Sequence, residues 1–529
     1  MKKILASIMI AVSIAFILWS VLSDKGSNYS DLCITQTEYQ QLMDSRTEST
    51  EQLFERILFD EYALFCDSVG NRMFYSLIES SDSAYNPYVE CVSIYADARV
   101  AFVGSEISNE IIASGIEYDM IVYTEDAYQC FRLAFTTLPL LSINCGTEMP
   151  GDIAMPMSMK LFDNRKTSVQ RMVASDGEIH IRGGWTRNFP KLGYKFTLYS
   201  DSVGNHRREW DNSLLGLRQD GDWVLYAAYT DQEKIRNVFC SKLWKDSCAV
   251  NNANHIDNGM EYRYVELFLN NQYWGLYALG YPIDALQLQM SEGEYMYEKS
   301  YPVMAETDID FLVEGAPQGY VIKEFGVNSG ESWSALKEYY QAMFYSEDEY
   351  ASLKELADIE NSIDIFLFLN MIQGVDHASV RGYNTIYNLY LTNKHGENGM
   401  DTILYTPWDL DRTWGNGFDN EPYDVEITKH CAMKSNIAYI LLKRDDAQMK
   451  QQVVKRYKEL RKGPWSDEQL SQLIHEYEVQ IYDSGAFSRD KSRWPEGWYS
   501  DEADRLDVFE EYVLKRVKYM DEYVEQYNN

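Results

Sequence analysis

Positive charge is scarce in this chain. Its 48 Lys and Arg stand against 82 Asp and Glu, a formal net charge of −34. Nucleic acids and anionic lipids are polyanions that such a surface repels, so neither is expected as a partner of the bulk protein. Cysteine is also sparse and poorly spaced for metal. Cys33, Cys66, Cys91, Cys130, Cys145, Cys240, Cys248 and Cys431 include no C-x-x-C pair, which argues against zinc. Their even number allows disulfides in an exported chain, with the connectivity open. Cys240 and Cys248 cannot pair with each other, because they lie on one predicted helix about 12 Å apart. No internal repeat and no low-complexity tract is present.

What the chain does contain is length and aromatic bulk. Its 529 residues are 45% hydrophobic and 14% aromatic, with 41 Tyr and 12 Trp. That is enough for several domains with polar-tipped aromatic cores. Ile4 to Leu22 is apolar except for Ser7, Ser13 and Ser20. At about 1.5 Å per residue it spans a bilayer core. Lys2 and Lys3 precede it, which keeps the N-terminus inside and exports the rest. Residues 1–23 are therefore read as a single-pass anchor, with a cleaved signal peptide as the alternative, Val21 and Ser23 fitting a cleavage site. In either case the body of the protein lies outside the cytoplasm.

The fold class read from the pattern is α+β in two lobes. Residues 24–87 are predicted to be a flexible stem and a helical segment, with Leu53, Ile57, Leu58, Tyr62 and Leu64 on one helical face. Residues 88–144 carry short β-type runs and read as a small sandwich-like module. Residues 145–284 read as a β-rich lobe with one helix, opened by a Thr230/Glu233 capping box. An Asn270-Asn271 turn joins two of its strands. Residues 285–529 are mainly helical. Ile363 to Ile372 is apolar almost all round, capped by Ser362 and stopped by Gly374. A strand pair near 384–392 and 401–405 follows. Leu506, Phe509, Val513, Val517, Met520 and Val524 then repeat at helical spacing.

The most distinctive stretch is Thr406-Pro-Trp-Asp-Leu-Asp-Arg-Thr-Trp-Gly-Asn416. Asp409 and Asp411 leave a strand beside two tryptophans. In extended backbone they face opposite sides, and in a turn they converge. Partly desolvated carboxylates need a cation or hydrogen bonds, and a hard cation such as Mg²⁺ is the simplest partner. The plainer alternative is a loop held by Asx turns. Asp376 lies before the strand pair and Asp409/Asp411 after it. An orienting carboxylate, metal-binding carboxylates and a cation for phosphate are the parts phosphoryl transfer needs.

The chain resembles the spore-coat CotH kinase family, an atypical branch of the protein-kinase-like fold. The resemblance covers about residues 135 to 525. It rests on Thr137-Leu-Pro-Leu-Leu-Ser-Ile143, on Ile181-Arg-Gly-Gly184 with Phe189-Pro-Lys-Leu-Gly-Tyr-Lys-Phe-Thr-Leu198, and on Gly221-Asp-Trp-Val-Leu225 with Ile235-Arg-Asn237. Leu267 to Tyr277, Asp376 with Asn384, Pro407 to Asp411 with Gly415-Asn416, and Ser488 to Trp494 complete it. The resemblance implies transfer of the ATP γ-phosphoryl group to Ser or Thr of exported or cell-surface proteins, using Mg²⁺ or Mn²⁺. It makes Asp376 the catalytic aspartate, Asp409 and Asp411 metal ligands, and Asn384 the asparagine for a second metal. Asn388 is its rival, because the Asp376-to-Asn384 interval is long. Lys195 and Arg182 are placed to reach nucleotide phosphates, and Gly183-Gly184 is not a G-x-G-x-x-G loop. His377 reads as structural, and Trp223, Trp274 and Trp408 as core. ATP is scarce outside cells, so a scaffold protein of surface or coat assembly that keeps the fold is the alternative. A metal-dependent carbohydrate hydrolase is the third reading.

Overall fold

The computed structural model describes residues 26–528, apart from 80–83, 105, 202–207, 300–314, 318, 327–331, 346–352, 378–387, 397–400, 418–422 and 434. The predicted anchor at residues 1–23 lies outside the described residues. Among those described, no helix is long and apolar enough to cross a membrane.

The β-rich lobe is built from seven strands that close on themselves. They are Met172–Arg182, Met155–Phe162, Leu140–Asn144, Tyr262–Leu269, Gln272–Gly280, Asp222–Tyr226 and Gly193–Asp201, neighbours in that order. The last then pairs with the first, His180 lying opposite Lys195 and Arg182 opposite Gly193. Alternation sorts the side chains between the two faces. Ile143, Met159, Ile179, Phe196, Trp223, Leu225 and Leu267 fill the interior. Val224, Tyr262, Tyr264 and Leu276 point outward and join the core of the helical lobe. The Asn270-Asn271 hairpin is present, both residues at positive φ (51° and 57°), as a two-residue turn of that hand requires. The lobe begins at Leu140 rather than at 145, because the Leu140–Asn144 strand pairs with Met155–Phe162 and Tyr262–Leu269.

Three sequence expectations fail before and within this lobe. Among the described residues from 35 to 79, only Gln36–Asp44 is helical. The apolar set predicted to share a helix face lies instead around the short strands Arg56–Phe59, Tyr62–Ala63 and Phe65–Asp67. Positive φ at Asp60 and Glu61 makes the turn between the first two. Nor are residues 26–33 a free stem: Tyr29 is buried among Phe59, Phe102 and Phe135. The sandwich-like module therefore spans 26–136, and its core continues into Phe162, Phe268 and Tyr273 of the barrel. Thirdly, Thr230 and Glu233 form no capping box. The helix is Arg236–Ser247, and the buried segment before it bends through positive φ at Ala228 and Lys234.

The helical lobe is organised around Ile359–Ile372, buried from Asn361 onward. Asp358, not Ser362, caps it, accepting from the Asn361 amide, and Gln373, not Gly374, takes the left-handed turn that ends it. Helices Ile437–Lys443, Ala447–Arg461 and Asp507–Glu525 pack around it. All six residues of the predicted C-terminal repeat are buried, which confirms that helix face. The expected strand pair is Leu389–His395 with Asp401–Pro407, extended to four strands by Tyr295–Lys299 and Tyr320–Phe325.

Two buried ion pairs tie the lobes together. Arg489 of helix Ala486–Arg493 meets Glu266 at 2.5 Å, and its neighbour Asp490 meets Lys191 at 2.8 Å. Glu266, Lys191 and Asp490 are almost wholly buried.

Candidate active site

The acid loop begins where the Asp401–Pro407 strand ends. Asp409 has φ 55° and Trp414 has φ 48°, a region that costs most side chains energy and that Asp and Asn tolerate best. The left-handed step turns the chain out of extended geometry. Asp409 and Asp411 therefore no longer face opposite ways.

The loop is pinned from two helices. Asn237 on Arg236–Ser247 accepts from the Leu410 amide at 2.9 Å. Arg236 donates to the Thr413 carbonyl at 3.2 Å, and is itself held by the carboxylates of Asp231 and Glu233. On the other side the Trp414 amide donates to the Ile372 carbonyl at 2.6 Å, and the Val375 amide to the Arg412 carbonyl at 3.1 Å. These last bonds seat Asp376 beside the loop, because it follows Val375 directly. His377 adds a third: its Nε2 lies 2.9 Å from the Trp408 carbonyl. The ring is fully buried, and burial lowers its pKa to about 4, so it is neutral and Nε2–H is the donor. This agrees with a structural His377. Its bond to the Trp408 carbonyl ties the residue after Asp376 to the residue before Asp409. His377→Ala is expected to lower stability by about 2 kcal/mol and turnover by roughly tenfold. Unfolding and initial rates check both, and an unchanged rate would remove His377 from the account.

The electrostatics follow from this packing. Burial lifts the pKa of Asp376 to about 7, helped by the charge of Asp411 and opposed by Arg412. Burial lifts Asp411 to about 7, helped by Asp409. Burial also raises Asp409, while Arg182 opposes the rise and Asp376 adds to it. The three carboxylates thus feel one another. An unfolded Asp titrates near about 3.9. Between that value and about 7 the folded chain binds more protons, so metal-free stability falls as pH rises through this window. The metal-free melting temperature is expected to be higher at pH 5 than at pH 8. The gap should narrow in Asp411→Asn and when Mn²⁺ is added at pH 8. The reverse order would contradict this reading of the charges.

The remaining candidates divide. Arg182, at the end of its strand, acts on Asp409 from the barrel side. Lys195 lies on the same outward face but is paired with Asp222 at 2.6 Å. Asn384 lies outside the described residues. Asn388 has φ 53°, and its amide donates to the Asp409 carbonyl at 3.4 Å while its carbonyl accepts from the Trp408 amide at 3.0 Å. It holds the backbone of the loop. Trp223 is fully buried as expected, and Trp408 stacks on Tyr390 with centroids 5.2 Å apart.

Sequence reading missed Thr230 and Tyr226. The Thr230 hydroxyl lies 3.5 Å from Asp411 Oδ2. The Tyr226 hydroxyl is buried without a hydrogen-bond partner, within reach of the charges of Asp411, Asp231 and Asp409. The alternation Trp223/Leu225 against Val224/Tyr226 was the available signal for Tyr226, hidden in a run read as uniformly core.

Among the described residues no group of three or more His, Cys, Asp and Glu converges enough to hold a metal by itself. The donor set of Asp409 and Asp411, both oxygen ligands, with an unpartnered hydroxyl beside them, fits a hard cation that keeps waters and brings phosphate oxygens with it. It does not fit an all-protein cage. All eight cysteines are free.

No curated protein matches the chain. The family described as CotH kinase protein matches residues 179–520, from the third barrel strand into the last helix and across every residue of the acid loop. That is well over half of the 529 residues, and the chain belongs to the CotH kinase family.

Proposed function

We propose that the chain is a metal-dependent protein kinase that transfers the γ-phosphoryl group of ATP to Ser or Thr of exported or cell-surface proteins. The observation that supports this best is the gathering of Asp376, Asp409 and Asp411, the last buried and the other two half-buried, within reach of one another's charge, with Arg182 acting on Asp409 from the opposite lobe. Three mutually repelling carboxylates disfavour the ligand-free state, and a cation with a polyphosphate relieves that. Asp409, with Asp411 and Asn384 as further oxygen donors, would hold a divalent cation, which would supply charge neutralisation at the phosphates.

The chain's own residues do the rest. Asp376 orients the acceptor hydroxyl and takes its proton. The acceptor oxygen forms the new bond to the γ-phosphorus, the bond from that phosphorus to the bridging oxygen breaks, and ADP leaves with the electron pair. Arg182 holds phosphate oxygens. Lys195 contributes at the nucleotide after exchanging Asp222 for phosphate. Asp376→Asn is expected to lower kcat by about 10²- to 10⁴-fold while leaving nucleotide binding in place. The export of the body rests on the apolar run Ile4 to Leu22 and its preceding lysines.

The direct test of the binding half is thermal. ATP with Mn²⁺ together should raise the melting temperature of the full chain more than either alone, since a ligand that binds only the folded state stabilises it. No shift at millimolar ATP and Mn²⁺ would count against the reading.

A further inference from the structure

Tyr226 ends the Asp222–Tyr226 strand, and the barrel register gives it defined neighbours. Leu225 lies opposite Tyr194, and Gly193 lies opposite Arg182. One step along the same register sets Gly193 beside Tyr226. Arg182 and Tyr226 thus stand in one row across the sheet, separated by a residue with no side chain. Both are on the outward face. Val224 and Tyr226 pack against the core of the helical lobe, whereas Trp223 and Leu225 fill the barrel. Paired residues share a face, so Arg182 looks the same way.

The groups around the Tyr226 hydroxyl are already engaged. Asp231 accepts from the backbone amide and the guanidinium of Arg236. Asp411 has the Thr230 hydroxyl at 3.5 Å. The Tyr262 ring lies 6.3 Å from that of Tyr226. A buried hydroxyl with no partner is unfavourable, and a phenylalanine of the same shape avoids the cost.

We propose that the Tyr226 hydroxyl donates a hydrogen bond to an oxygen of the phosphoryl group being transferred, working with Arg182 across Gly193. This rests on the kinase reading above. The proton stays on the tyrosine and no bond to it is made or broken. Tyr226 is then an electrostatic contact to the reacting group, stronger where charge builds on the equatorial oxygens.

Tyr226→Phe in the full chain is the test, with ATP, Mn²⁺ and casein as the probes. The melting temperature without nucleotide should be unchanged or higher. The shift produced by Mn²⁺ and ATP should shrink. The kcat should fall by about ten- to a hundredfold with KM for the acceptor unchanged. A kcat within twofold of the parent overturns the proposal and leaves the kinase reading intact. So does a lower melting temperature without nucleotide, which marks a structural hydroxyl. If the parent transfers no phosphate yet binds Mn²⁺–ATP, and the variant loses that binding, the kinase reading falls and the phosphate contact stands. A parent that neither transfers nor binds overturns both.

Discussion

Asp409→Ala should abolish phosphoryl transfer and leave the fold at least as stable as the parent. Both halves follow from one fact. Asp409 is a carboxylate whose charge is disfavoured by burial, by Asp376 and by Glu298, with Arg182 and Arg412 opposing. Removing it takes away the principal proposed metal ligand, for which a loss of about 10³-fold or more in kcat is expected. The same change removes like-charge repulsion from Asp376 and Asp411 and ends the burial of a charge, which together outweigh the lost attraction to Arg182 and Arg412 in the metal-free protein. Its left-handed backbone adds a small opposing cost, because alanine tolerates φ 55° less well than aspartate. Asp409→Asn keeps the backbone preference and should be the more stable of the two. Melting curves and initial rates on both variants separate the effects. A variant that keeps full activity, or one that unfolds outright, would contradict the assignment of Asp409.

The largest effect on stability is expected far from the acid loop, at Arg489. Its guanidinium makes paired bonds to Glu266 at 3.0 and 2.5 Å and a third to the Ser484 carbonyl at 2.6 Å. Glu266 sits mid-strand with no exposed surface. Arg489→Ala strands that carboxylate in the interface between barrel and helix, and breaking one side of a buried pair costs about 3–5 kcal/mol. Asp490→Asn should act alike, because Asp490 neutralises Lys191 and accepts the Leu276 amide at 2.9 Å. Lys234 nearby already has its pKa pushed down to about 7 by burial, eased by Asp490. The double variant Arg489→Ala/Glu266→Gln should recover much of the loss of the single one, since no buried charge is left unpaired. Denaturant midpoints test this. A single-variant loss below about 1 kcal/mol would show that the pair does not hold the lobes.

Legibility in the sequence tracked how local the determining forces are. The acid loop was readable because tryptophan, glycine and aspartate all bear on one turn. The Asp507–Glu525 helix was readable because five apolar residues, with Leu506 at its N-cap, mark one face over five turns. The Asn270-Asn271 turn carries its own backbone preference. Leu53 to Leu64 misled for the converse reason. Strands of two to four residues separated by an Asp60-Glu61 turn place apolar side chains at intervals that mimic a helix. Thr230 and Glu233 matched a capping box by spacing, but other partners claim both side chains: Thr230 faces Asp411, and Glu233 takes its near neighbour Arg236 and the distant Tyr423 hydroxyl. Barrel closure depends on the pairing of Met172–Arg182 with Gly193–Asp201 at the same time as six other strand pairings, which no window of sequence displays. The Lys195–Asp222 pair is of the same kind, set by strand order rather than by neighbours in the chain.

The central claim is that the carboxylates of Asp376, Asp409 and Asp411 form a phosphoryl-transfer site. Its most direct measurement is incorporation of label from γ-phosphate-labelled ATP into casein by the purified full chain with Mn²⁺, beside a chelator control and the Asp409→Ala variant. The account predicts label on serine or threonine that requires both the metal and Asp409. Label that persists in the chelator or in Asp409→Ala, or no label in the parent under conditions where ATP and Mn²⁺ raise its melting temperature, would contradict it.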